Sequence, residues 1–232
     1  MTCAEYMVTV FETYRLVSVL ADKHGCRTLR LRHRERQQDI VLHQLNRPSA
    51  AYTALCGISC RNLPAVYDTV ELSDGTIVWE EWLDGMTVAE VMESGRYHRR
   101  GAKKVMRAVC DALTVLHERG IIHRDVKPEN VIVDSDGRVV LIDFNISCDV
   151  TDEEDSAVMG TVGYTPPEQL GLSRNDARTD IYAAGVLLNV MLTGQHPCRV
   201  AAGGKLGRVV RRCTMTDPND RYQTAAKLRR AL

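Results

Sequence analysis

Eight consecutive residues, His123-Arg124-Asp125-Val126-Lys127-Pro128-Glu129-Asn130, set acids, cations and an amide side by side in one short stretch. Thirteen residues beyond Asn130 comes Asp143-Phe144-Asn145, directly behind the apolar run Val139-Val140-Leu141-Ile142. Asp125 is suited to accept the proton of an attacking hydroxyl, a role worth roughly 10²–10⁴ in rate. Lys127, two residues on, is within reach of a phosphate in transfer. Asn130 and Asp143 offer hard oxygen ligands of the kind magnesium takes in small number beside nucleotide phosphates. A base, a cation, an amide and a second carboxylate in this order are the parts of a phosphoryl-transfer site.

These residues need a frame. Tyr14–Leu20 and Thr28–Arg32 alternate apolar with polar residues and predict paired strands, with the turn Ala21-Asp22-Lys23-His24-Gly25 between them. Asp39–Leu42 reads as a third strand and Ser49–Leu55 as a short helix. Ala65–Leu72 and Thr76–Trp82 read as two further strands joined by Ser73-Asp74-Gly75. From Thr87 the pattern turns helical. Val105, Val109, Leu113 and Leu116 recur at helical spacing as far as Gly120, a stop signal just ahead of the catalytic stretch. Val131-Ile132-Val133 and Val139–Ile142, about Asp134-Ser135-Asp136-Gly137, predict a hairpin whose end projects Asp143. Ile181–Leu192 is apolar almost throughout, as a buried helix is, and Thr214–Leu232 suggests two amphipathic helical pieces.

The catalytic stretch and the Asp143 loop resemble those of eukaryotic-like Ser/Thr protein kinases, and later landmarks of that family follow downstream. Pro166-Pro167-Glu168 resembles the family's Ala-Pro-Glu, and Gly160–Tyr164 its substrate-binding stretch, where Thr161 would contact the catalytic loop. Asp180 resembles the buried helix-start aspartate that holds that loop, and Arg221 the arginine that pairs with Glu168. Lys127 two residues after Asp125 is the Ser/Thr-like form. Together with Pro-Pro-Glu it separates the chain from small-molecule kinases of the aminoglycoside type. Glu81-Trp82-Leu83-Asp84-Gly85 resembles the hinge whose backbone binds adenine, with Glu80 guarding the deeper pocket. The resemblance implies an α+β, protein-kinase-like two-lobed fold. A small antiparallel β N-lobe and hinge would cover residues 1–82 and a mainly helical C-lobe residues 83–232. It implies ATP and Mg²⁺ as cofactors, a protein Ser/Thr hydroxyl as acceptor, and no nucleic-acid or membrane partner.

The upstream part departs from the pattern. An ungapped alignment of Thr28–His43 puts Ile40-Val41-Leu42-His43 where Val-Ala-Ile-Lys is expected, so His43 stands for the phosphate-gripping lysine. That lysine's glutamate partner falls at Ala51, and Ala21, Lys23 and Cys26 take the three glycine positions of the phosphate loop. Two readings follow. Either the chain is a pseudokinase, or another cation substitutes, with Lys23 in the loop turn as the candidate on the precedent of the with-no-lysine kinases. At the Asp143 loop, Asn145 replaces the usual glycine, and asparagine tolerates left-handed dihedrals better than most residues. Arg124 marks the subclass in which a phosphate on the activation segment pairs with this arginine. Asp152-Glu153-Glu154-Asp155 suggests that the segment carries its own negative charge, with Thr151, Ser156 and Thr161 as modification candidates.

Composition adds boundaries. Thirty Lys and Arg balance thirty Asp and Glu over 232 residues, so no global field selects an anionic partner. No apolar stretch approaches the roughly 20 residues that span a bilayer. Met1–Tyr14 carries Glu5 and Glu12 in place of a basic start, and a cytoplasmic location is the expectation. Eight cysteines lack paired ligand spacing and are expected as free thiols. The basic run from His98 to Arg107 reads as a solvated face, and His117 and His196 as structural.

Overall fold

Thr2-Cys3-Ala4-Glu5 begins the chain with a reciprocal cap. The Thr2 hydroxyl accepts from the Glu5 amide at 3.2 Å, and the Glu5 carboxylate accepts from the Thr2 amide at 2.8 Å. Helix α1, Cys3–Thr13, follows from this cap, an element the sequence reading did not assign. In this computed structural model, the residues described are 1–23, 25–145, 147–149, 163–164, 166 and 175–232. The chain is α+β and divides into two units, one of Met1–Cys60 with Pro64–Leu83, the other of Arg61–Leu63 with Asp84–Leu232.

The first unit is an antiparallel sheet with a helix on each face. Strands β1 (Tyr14–Lys23), β2 (Cys26–His33), β3 (Asp39–Leu45), β4 (Val66–Leu72) and β5 (Gly75–Glu81) run in the order β1-β2-β3-β5-β4. Helix α1 lays Cys3, Met7 and Val10, one helical stripe, on Leu29, Leu31, Ile40, Leu42 and Ile77. Side chains alternate along a strand, so His43 points to the opposite face from Leu42. There it meets helix α2 (Ala50–Leu55), capped by Ser49, whose Ala51, Tyr52 and Leu55 are buried.

The first hairpin corrects the expected turn. Asp22 and Lys23 are still cross-strand partners of Arg27 and Cys26, so the connection shrinks to residues 24–25. Gly25 takes φ +77°, which a residue with a Cβ adopts only under strain. Where the turn was expected from Ala21 onward, Ala21, Asp22 and Lys23 continue the strand ladder.

The second unit is mainly helical. It comprises β6 (Gly85–Thr87), α3 (Val88–Glu93), α4 (Arg99–His117), β7 (Ile121–Ile122), β8 (Val131–Asp134), β9 (Val139–Leu141), β10 (Cys148–Asp149), α5 (Ala177–Thr193), α6 (Gly204–Cys213) and α7 (Ala225–Ala231). The apolar stripe of α4 is buried from Ala102 to Leu116, while His98, Arg100, Lys103, Lys104 and Arg107 line an open surface cavity of about 580 Å³. Asp176 caps α5, Gly194 ends it in the left-handed region at φ +74°, and nearly every residue between is buried. At Gly185 a Cβ would lie 2.3 Å from that of Cys213, so glycine permits the close approach of α5 and α6.

Helix α6 is a second correction. The tail pieces expected over Thr214–Leu232 resolve into a 3₁₀ turn, Pro218–Asp220, and α7, while Thr214 ends a helix that starts ten residues earlier. Its N-terminus lies in Ala-Ala-Gly-Gly with no side-chain cap, so the start signal is missing. What holds it is the burial of Leu206, Val209, Val210 and Cys213.

Candidate active site

Asp180, in the first turn of α5, is fully buried and organises the catalytic stretch. Its Oδ2 accepts from the backbone N–H of His123 at 2.9 Å and its Oδ1 from that of Arg124 at 2.8 Å. His117, at the end of α4, donates from Nε2 to Oδ2 at 2.8 Å. Burial alone would raise the Asp180 carboxyl's pKa, but the His117 hydrogen bond, the nearby His117 and His123 and the His123 amide together hold it below the usual carboxylate range. His117, expected to be structural, is therefore a positioning partner of this loop.

The loop is also tied to the strand that carries Asp143. The Asp125 amide donates to His123 Nδ1 at 3.2 Å, which makes Nδ1 an acceptor and leaves the proton on Nε2. That Nε2 then donates to the Ile142 carbonyl at 3.1 Å. The Ile142 amide donates in turn to the Asn130 carbonyl at 2.9 Å, and the buried Phe144 ring meets His123 edge-on at 5.3 Å. Arg124 and Asp143 sit at φ +69° and +71°, two of the three non-glycine residues in this region among those described. Such strain concentrates where tertiary contacts over-determine the backbone. The left-handed position thus falls on Asp143 itself; Asn145 does not use the tolerance for which asparagine was invoked.

Asp125 is buried, and its Oδ2 accepts from Lys127 Nζ at 2.5 Å and from Asn130 Nδ2 at 3.0 Å. Asn130 Nδ2 also donates to the Asp125 carbonyl at 2.9 Å. With its nitrogen committed to Asp125, the Asn130 amide keeps its side-chain oxygen as a hard donor of the type magnesium takes. With the Asp143 carboxylate, this donor set fits a hard divalent cation. Sequence reading thus places Asp125, Lys127 and Asn130 together, with Asp143 joined to them through Ile142.

The residues expected in the first unit are arranged differently. His43 is buried, its Nδ1 lies 3.2 Å from the Thr28 hydroxyl, and its Nε2 lies 3.3 Å from Glu80 Oε1 and 3.5 Å from the Tyr52 hydroxyl. Both ring nitrogens therefore have partners within the sheet and α2. The carboxylate facing His43 comes from β5, while Ala51 holds the helix position. The pairing of Val41 with Glu80 and His43 with Val78 explains why, since Glu80 and His43 then share one face of the sheet. Lys23 is exposed at the end of β1. The Glu81 carboxylate accepts from the Ala65 amide at 3.0 Å, and Leu83 is buried.

Arg221 is buried and donates to the carbonyls of Met215, Arg178 and Thr216. Its expected partner Glu168 lies outside the described residues, as do Thr161, Asp152–Asp155 and the other modification candidates.

A family profile described as "Protein kinase domain" matches residues 31–228, and the chain belongs to that family. Among curated relatives it is 30% identical to "Serine/threonine-protein kinase PknB" of Mycolicibacterium smegmatis, over 90% of this chain and 40% of the relative. The protein of the same name from Mycobacterium tuberculosis matches to the same degree. "Probable serine/threonine-protein kinase PknB" of Corynebacterium glutamicum is 40% identical over 60% of this chain and 23% of its own length. The chain thus spans about two fifths of the length of the mycobacterial relatives.

Proposed function

We propose that this chain transfers the γ-phosphate of ATP to a Ser or Thr hydroxyl of a protein. The observation that carries this reading is Asp125 held by Lys127 and Asn130 in a loop fixed from beneath by Asp180. Asp125 orients the acceptor hydroxyl and takes its proton, and Lys127 stabilises the phosphate in transit. Asn130 and Asp143 would hold magnesium, which neutralises phosphate charge when bound. In the first unit, Glu81 and Leu83 are assigned to adenine through their backbones, and Lys23 replaces the missing phosphate-gripping lysine. His43 is the weaker candidate for that cation because both its ring nitrogens are engaged.

The test is Asp125→Asn, an isosteric change that removes the base. Transfer from labelled ATP to a basic protein mixture is expected to fall by about 10²–10⁴. Binding of a fluorescent ATP analogue with magnesium should persist. The engaged state of His43 also favours a second reading, in which the chain binds nucleotide weakly or not at all and acts as a scaffold. Wild-type protein without transfer under any divalent metal, or equal to the variant, selects that reading.

A further inference from the structure

The face of the sheet covered by α1 carries a cavity of about 450 Å³ that no part of the kinase reading uses. Tyr6 of α1, Tyr14 of β1, Tyr67 of β4 and Trp79 of β5 line it, four of the chain's twelve aromatic side chains. Tyr14 and Trp79 lie 5.3 Å apart between ring centroids, tilted by 55°. Ile40, Gln38 and Asp68 complete the lining, so the one charged group in a largely aromatic wall is an acid.

The strand pairing shows how Asp68 reaches this face. Val66 pairs with Glu80 and Asp68 with Trp79, so β4 advances two residues where β5 advances one, and Tyr67 is the extra residue of a bulge. Val66 and Glu80 are buried on the α2 side. Without the bulge, Asp68 would share that face, because residues two apart in a strand point the same way. The inserted residue turns Asp68 to the side of Trp79, next to Tyr67, a residue that stays 53% exposed. Two consecutive side chains, one aromatic and one acidic, are thereby aimed into one concavity. Among the described residues, Asp68 has no ion-pair partner, and its Oδ1 accepts from the neighbouring Thr69 amide at 2.8 Å.

We propose that this cavity is a binding site for the guanidinium of an arginine side chain presented by a partner protein. A planar, delocalised cation is attracted to the negative faces of aromatic rings and stacks on them, and a carboxylate at the rim supplies the counter-charge. Arginine fits better than lysine because its fork can stack on the rings and donate to Asp68 at once. The site lies within the sheet unit and does not depend on phosphoryl transfer.

The test uses the full chain carrying Trp82→Phe, so that Trp79 is the sole tryptophan emitter, titrated with the peptide acetyl-Ser-Gly-Arg-Gly-Ser-amide. A saturable change in Trp79 emission is expected. The citrulline version of the peptide, neutral and nearly isosteric, should bind about fivefold or more weakly. Asp68→Asn and Tyr67→Ala, both at exposed positions, should each weaken the arginine peptide by a similar factor with an unchanged circular dichroism spectrum. Absence of a saturable response, equal binding of the citrulline peptide, or an Asp68→Asn protein that binds as wild type would overturn the proposal.

Discussion

The helical unit and the sheet unit bury polar side chains to opposite ends. In the helical unit, Asp180 directs its hydrogen bonds at the backbone of His123 and Arg124, and those bonds end in an ordered Asp125. In the sheet unit, His43 and Glu80 face each other with Thr28 and Tyr52 around them, and the bonds end inside the fold. One network therefore supports the loop that carries Asp125, while the other closes on itself the position where the sequence pattern led a lysine to be expected. Buried polar groups have the same need for partners in both cases; what differs is whether the partner is a functional backbone or another structural side chain.

The comparison breaks most clearly at Asp180. Asp180→Ala leaves two buried backbone donors and His117 without their acceptor, and a loss of about 3 kcal/mol or more is expected by urea unfolding. Transfer activity should be lost with it. The group's folded-state pKa lies below its unfolded value, so its contribution is present above the ordinary carboxylate pKa and disappears as pH falls below it. A loss under about 1 kcal/mol would show that the loop is held some other way.

His43 and Lys23 sharpen the contrast from the other side. Glu80 Oε2 is buried with no hydrogen-bond partner among the described residues, so deleting the imidazole strands a carboxylate. His43→Ala is expected to cost about 2–3 kcal/mol of stability while changing affinity for a fluorescent ATP analogue less than about twofold. Lys23→Ala should do the reverse, with stability within about 0.5 kcal/mol of wild type and a several-fold weaker nucleotide complex. Equal or inverted effects would restore His43 as the phosphate cation.

A smaller effect is expected at Asp39, whose side chain Arg32 and Arg30 bracket on the sheet. The Arg32 hydrogen bond outweighs burial and, with Arg30, holds the carboxyl at about 2. Its stabilisation is complete above the unfolded pKa near 4 and fades as pH falls toward 2. With both arginines partly exposed, Asp39→Asn should cost about 1–2 kcal/mol at pH 7, and the difference from wild type should close in acid. The smallest effect is a labelling pattern. Burial and Asp111 push the Cys110 thiol up to about 12, and burial raises Cys213 as well. A thiol reagent at pH 8 should label exposed Cys56 and Cys198 in the native protein, and Cys110 and Cys213 only after unfolding.

The catalytic loop was legible in sequence because its residues are close neighbours, so spacing alone places Asp125, Lys127 and Asn130 in one loop. The five strands of the first sheet, the β8–β9 hairpin, the short helix from Ser49 and the buried helix α5 were legible for the same reason, since periodicity is a local property. Local signals also failed. The Thr2-x-x-Glu5 cap of α1 was present and passed over, and α6 carries no start signal because burial, and not a cap, holds it. Which carboxylate faces His43 was decided only by strand register, since Glu80 is 37 residues away and reaches it through the pairing of β3 with β5. The bulge that turns Asp68 outward and the left-handed turn at Asp143 belong to the same class. Each is set by long-range pairing that overrides what the residue's neighbours in sequence prefer.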